Sequence, residues 1–157
     1  AEVAQNAGRK VSLTLSDQFC VDRHRISFIN FIRGYVDILF SNEEEIISLY
    51  QVEDFNAALR YVRDDCEVAV LTRSGKGSVI VSGGEKHVIY AEPVAEVVDT
   101  TGAGDLYAAG FLYGITNGHR LVECGRIASI VAAEVISHVG PRPQKDLKEL
   151  VRTKLGI

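Results

Sequence analysis

The sequence contains no methionine, only three scattered cysteines, no block of like charge and no apolar stretch long enough to span a bilayer. Cys20, Cys66 and Cys124 lie far apart with no C-x-x-C spacing, which argues against a disulfide framework or a zinc site and fits a reduced cytoplasm. A formal net charge of -4 offers no basic field for nucleic acid or an anionic membrane. The opening residues AEVAQNAGRK are too polar for the apolar core of a signal peptide. No G-x-G-x-x-G is present, which disfavours a dinucleotide-binding dehydrogenase. The chain also lacks an initiator methionine, and Ala1 to Ala7 reads as the end of a helix already under way. A processed, truncated or otherwise incomplete chain is therefore expected.

What is present suits one ordinary globular domain, read here as spanning residues 1–157. Hydrophobic residues make up 46% and charged residues 24%, close enough to average to exclude a wholly disordered chain. Strand and helix signals alternate. Val11–Leu15 alternates apolar and polar residues after Gly8, Arg25–Ile32 has helical spacing up to Gly34, and Val36–Phe40 is a short apolar run. Asn42 or Ser41 can cap the next helix, with Glu43, Glu44 and Glu45 in its first turn, and Asp54 can cap another. Val68–Leu71 is a further buried strand. Ser78–Val81 and His87–Tyr90, punctuated by glycines, read as an antiparallel pair. Helices follow over Asp105–Ile115, Leu121–Val139 and Lys145–Leu155. This β-α-β-α order predicts an α/β fold of three layers, a mostly parallel sheet with helices on both faces.

The segment Asp99-Thr-Thr-Gly-Ala-Gly-Asp105 precedes a helix. Gly102 and Gly104 allow a tight turn and a close ligand approach, and the amides of Gly102, Ala103, Gly104 and Asp105 would face outward at the positive end of the helix dipole. Such a turn binds anions and would stabilise growing negative charge on a transferring group. Asp105 beside it could accept the proton of a hydroxyl. From glycine spacing alone, an N-cap and a plain loop explain the same residues. A Walker A loop is excluded, because no Lys followed by Ser or Thr comes after the glycines.

The whole heptad with the following L-Y-A-A-G-F resembles the D-T-x-G-A-G-D signature of the ribokinase-like (PfkB) sugar and nucleoside kinases. That resemblance implies Asp105 as catalytic base and Gly102, Ala103 and Gly104 as the anion hole. It further implies ATP with Mg²⁺ as cofactors, and in some members a monovalent cation such as K⁺ held by positions matching Asp99, Thr101 and Gly140. Asn42-Glu-Glu-Glu45 matches the family's N-x-x-E motif, which implies Asn42 and Glu45 near Mg²⁺, reached through water. Taken alone, three glutamates at a helix start need no metal. Thr72-Arg-Ser-Gly-Lys-Gly77 resembles the T-x-G-x-x-G nucleotide loop, with Ser74 where the first glycine is usual. Thr72, Ser74 and Gly77, together with Thr101, are thus implied nucleotide contacts. Arg73 or Lys76 could add charge near phosphates, although exposed loop cations are generally solvated. Ala128 and Ala132 resemble the small residues bordering the adenine, and helix packing explains them equally well. His24, His87, His119 and His138 show no ligand spacing.

Within that family, Leu13–Asp17, Val36–Glu43 and Ser137–Pro143 look closest to the adenosine-kinase-like branch. The expected reaction is ATP-dependent phosphorylation of a hydroxymethyl group on a sugar or nucleoside, in the cytoplasm, by an enzyme that can dimerise. The alternatives are a non-catalytic nucleotide-binding or regulatory protein and an inactive fragment. The N-terminal half and lid of a family kinase are missing from this chain.

Overall fold

Asp17, Asn42, Asp54 and Asp146 each start a helix by one device, a side-chain oxygen accepting the N–H three residues on (Cys20, Glu45, Ala57 and Glu149). The computed structural model describes all 157 residues. The elements run α1 (Glu2–Asn6), β1 (Ser12–Thr14), α2 (Gln18–Tyr35), β2 (Ile38–Asn42), α3 (Glu43–Tyr50), α4 (Phe55–Val62), β3 (Val68–Thr72), a 3₁₀ turn (Ser74–Lys76), β4 (Ser78–Ser82), β5 (Glu85–Ile89), α5 (Ala103–Thr116), α6 (Leu121–Val135) and α7 (Leu147–Leu155). No helix is long and apolar enough to cross a membrane.

Several boundaries differ from the sequence reading: α6 ends at Val135 rather than Val139, α7 starts at Leu147 rather than Lys145, and β2 runs Ile38–Asn42 rather than Val36–Phe40. Two further helix starts differ for local reasons. The helix expected from Arg25 begins at Gln18, because Asp17 caps the Cys20 amide, and a non-helical His24 (φ −123°, ψ 21°) breaks the apolar period that spacing detects. The helix expected from Asp105 begins at Ala103, since Gly102 takes the N-cap in a left-handed conformation (φ 81°).

The five strands form one sheet in the order β1-β2-β3-β4-β5. β1, β2 and β3 are parallel, with Leu13 opposite Leu39 and Leu39 opposite Ala69. The links from β3 to β4 and from β4 to β5 hold only a few residues, too short for a crossover, so these neighbours run antiparallel. The result is the expected α/β sheet with a parallel half and a hairpin extension.

The chain divides into two compact units, Ala1–Arg73 with Val79–His87, and Ser74–Ser78 with Val88–Ile157. In the first, Leu39, Ala69, Leu71, Val79 and Val81 pack with Val21 and Ile32 of α2, Ile46 and Leu49 of α3, and Phe55, Ala58 and Val62 of α4. Ile38, Phe40, Val68, Val70 and Ile80 alternate with these and are buried too, so both faces of the central strands are covered. In the second unit, α5 and α6 pack closely. A Cβ on Gly110 would lie 2.9 Å from Ala128 Cα, and one on Gly114 would lie 3.0 Å from Cys124 Cα. Ile127, Ile130 and Val131 of α6 meet Val151 of α7.

Candidate functional site

In the second unit, the turn Asp99–Asp105 leads into the first turn of α5. A helix start leaves amides without intrahelical acceptors, and here Leu106 N–H already bonds Gly102 O at 2.9 Å. The Ala103 N–H donates to Thr100 O at 3.1 Å, so one of the three expected anion-hole amides is engaged within the turn. The N–H groups of Gly102, Gly104 and Asp105 have no acceptor in the protein. Above Gly104 lies open space: a Cβ there would meet nothing within 4 Å, and its backbone is helical. Neither packing nor dihedral angle therefore requires a glycine at this position. The Asp105 side chain is exposed and forms no hydrogen bond or ion pair, leaving its carboxylate available beside those amides.

The turn is held from one side by Asp99. Its Oδ1 accepts the Thr101 N–H and its Oδ2 accepts the Gly140 N–H, each at 2.9 Å. Hydrogen bonding from the Thr101 side chain and amide, then from Gly140, lowers the Asp99 pKa to about 2. The structure thus brings together Asp99, Thr101 and Gly140, the three residues expected around a monovalent cation.

In the first unit, Asn42 and Thr72 are register partners at the carboxyl ends of the parallel strands β2 and β3, where open α/β sheets bind ligands. The Thr72 hydroxyl donates to Ser41 O at 3.4 Å. Asn42 and Glu45 form a closed capping box: Glu45 N–H donates to Asn42 Oδ1 at 2.8 Å, and Asn42 N–H and Nδ2 donate to the two carboxylate oxygens at 2.9 and 2.7 Å. Glu45 is 5% exposed, and each of its carboxylate oxygens accepts one hydrogen bond from Asn42 in this cap. Arg73 is not a solvated loop cation. It forks onto Glu43 (Nε–Oε2 3.2 Å, Nη2–Oε1 2.9 Å) and lies 4.3 Å from the Phe55 ring centroid.

Beyond Arg73, Ser74 has a left-handed φ of 50° at the position where the family loop carries glycine. Gly77 (φ 85°) runs against the backbone of β5, where a Cβ would come 2.0 Å from Ile89 O. On α6, Ala128 is fully buried against Gly110 and serves the helix crossing, whereas Ala132 keeps partial exposure.

Two residues of α6 escaped the sequence reading. The Ser129 hydroxyl accepts the Glu92 N–H at 2.8 Å and faces Tyr90 O at 3.3 Å, tying the strand exit to the helix. Glu134 is a buried carboxylate accepting two amides from the loop after α6. The available signal was a lone polar residue among apolar ones at buried positions of one helix.

Known proteins with this arrangement give it a family. The chain is 38% identical over 119 residues to a cytidine kinase of Thermococcus kodakarensis, a match covering 74% of this chain and 42% of the relative. It superposes on an adenosine kinase from Sinorhizobium meliloti with a TM-score of 0.95 and 45% identity, over 98% of this chain and 47% of that one. An Arabidopsis thaliana ribokinase, solved with ribose and ATP, superposes with a TM-score of 0.76 and 25% identity, over 96% of this chain and 50% of its own. The chain thus spans about half the length of the kinases it matches. The family profile of pfkB family carbohydrate kinases matches residues 1–147, and the chain belongs to that family.

Proposed function

We propose that the protein carrying this chain is an ATP-dependent kinase phosphorylating a hydroxymethyl group of a sugar or nucleoside. One observation carries the reading: an exposed, unpaired Asp105 carboxylate stands at the N-terminus of α5 beside the unpartnered amides of Gly102, Gly104 and Asp105. Asp105 takes the proton of the acceptor hydroxyl as the oxygen attacks the γ-phosphorus of ATP, and ADP leaves with the bond electrons. The Gly102, Gly104 and Asp105 amides and the helix dipole stabilise the charge on the phosphoryl group in transit. The engaged Ala103 amide holds the turn in shape.

Within the second unit, Ser74, Gly77, Thr101 and Ala132 are the proposed nucleotide contacts. Mg²⁺ accompanies the nucleotide on its phosphates, as this reluctantly dehydrated ion commonly does. Asn42 and Glu45 satisfy one another and do not fit direct ligation, so no step is drawn through them. Asp99, with Thr101 and Gly140, is the proposed place for a monovalent cation, which would offset the charge of the phosphates beside the turn.

The names of the relatives support both acceptor classes: cytidine and adenosine kinases on one side, a ribokinase on the other. The test is phosphoryl transfer from Mg·ATP to adenosine, cytidine, ribose and fructose, using the protein that carries this chain. Transfer to one of them sustains the reading. ATP binding with no transfer to any acceptor would replace the kinase with a nucleotide-binding protein.

A further inference from the structure

We infer that Glu134 is a positioning residue for the anion-binding turn, acting through the loop between α6 and α7. This rests on the kinase reading of that turn. Glu134 lies one residue before the end of α6 among apolar neighbours, with its side chain 2% exposed. A buried carboxylate is costly unless its oxygens find donors. Its Oε1 accepts the backbone N–H of Gln144 at 3.0 Å and of Lys145 at 3.1 Å. Its Oε2 has no partner, nor has His138 Nε2, which stands 3.4 Å from Oε1 without hydrogen-bond geometry. No other side chain accepts these two loop amides, so this one oxygen is the hydrogen-bonded anchor of the loop's far end on α6.

The near end of the loop meets the turn at two places. Gly140 N–H donates to Asp99 Oδ2, and Pro141 packs directly on Gly102. Val98 N–H, just before Asp99, donates to Ile136 O at 2.8 Å. Glu134 therefore holds the loop at residues 144–145, and the loop holds Asp99 and Gly102, the residues that shape the Gly102–Asp105 amides. Removing the carboxylate frees two loop amides and slackens that hold, while the apolar contacts of α6 with α7 stay in place.

The experiment compares Glu134→Ala, Glu134→Gln and Val131→Ala in the protein that carries this chain. Val131→Ala weakens the same helix on its α7 side and serves as the structural control. Glu134→Ala is expected to lower kcat roughly tenfold to a hundredfold with the acceptor KM unchanged, as slight misplacement of catalytic groups does. Glu134→Gln keeps an accepting oxygen and restores kcat, and Val131→Ala lowers thermal stability without touching kcat. In parallel, hydrogen exchange at Gly140 should speed up about tenfold in Glu134→Ala while the mid-α6 amides keep their protection. Equal exchange at Gly140 in wild type and Glu134→Ala would overturn the inference, as would loss of kcat by Val131→Ala in step with stability. Absence of phosphoryl transfer in the wild type removes the kinase reading instead, and the exchange comparison still decides whether Glu134 holds the turn.

Discussion

Gly102 and Pro141 are in van der Waals contact such that a Cβ on the glycine would come 2.8 Å from the proline Cβ. Gly102 also has a φ of 81°, where side chains are strained. Gly104, two residues on, has neither constraint. The two glycines should therefore separate structure from ligand approach. Gly102→Ala is expected to destabilise the protein by about 1–3 kcal/mol, measured by denaturant unfolding. Gly104→Ala should fold normally, gain up to about 1 kcal/mol from helix propensity, and lose nucleotide affinity in calorimetric titration. Unchanged affinity in Gly104→Ala would show that no phosphate approaches there.

Asp105→Asn removes a base without removing a contact, because the side chain is exposed and unpaired. Its thermal midpoint should match the wild type, while kcat falls about 10²–10⁴-fold and the KM for ATP stays close to normal. Steady-state kinetics at saturating acceptor would check this, and near-normal turnover would remove Asp105 from the mechanism.

The turn was legible in the sequence because its chemistry is local: two glycines, a helix start and a carboxylate within seven residues. The parallel strands were legible for a similar reason, as Val68–Leu71 and Ile38–Phe40 are uninterrupted apolar runs. What could not be read were relationships across the chain. Nothing near Arg73 in sequence says that Glu43 and Phe55 will engage it, 30 and 18 positions away. A capping box and an N-x-x-E motif share one spacing, so the sequence could not say that Glu45 would close onto Asn42 as it does. The early part of α2 was lost to apolar periodicity because Gln18–Arg25 is largely polar and exposed, leaving only the Asp17 cap to announce it.

Ser74 holds a left-handed backbone where glycine would be unstrained, so Ser74→Gly should stabilise the protein by up to about 1 kcal/mol. Gly77→Ala should do the reverse and more strongly, since its Cβ would strike the Ile89 carbonyl at 2.0 Å. Urea midpoints for the two variants test both signs. A destabilised Ser74→Gly would mean that the serine hydroxyl, rather than the backbone, earns its place.

Burial pushes the Cys66 thiol pKa up to about 12, with the neighbouring Asp65 charge adding to the effect. The unfolded thiol ionises near 8.5. Because the folded pKa is the higher one, this contribution to stability is full below about pH 8.5 and is lost as the pH rises toward 12. At pH 8 iodoacetamide should label Cys66 far more slowly in the native protein than in urea, followed by mass spectrometry. Equal rates would show that the thiol is not shielded.

The α5–α6 hairpin closes through a link of only four residues, Asn117–Arg120, and its Gly110–Ala128 and Gly114–Cys124 contacts join residues close in sequence. The β2–β3 ladder, by contrast, must bring Ile38 to Val68 across thirty residues and two helices. Loop-closure entropy therefore favours the hairpin early on the folding path, with the ladder following later. A refolding chain would thus assemble the helix pair that carries the Gly102–Asp105 turn before the sheet has found its register.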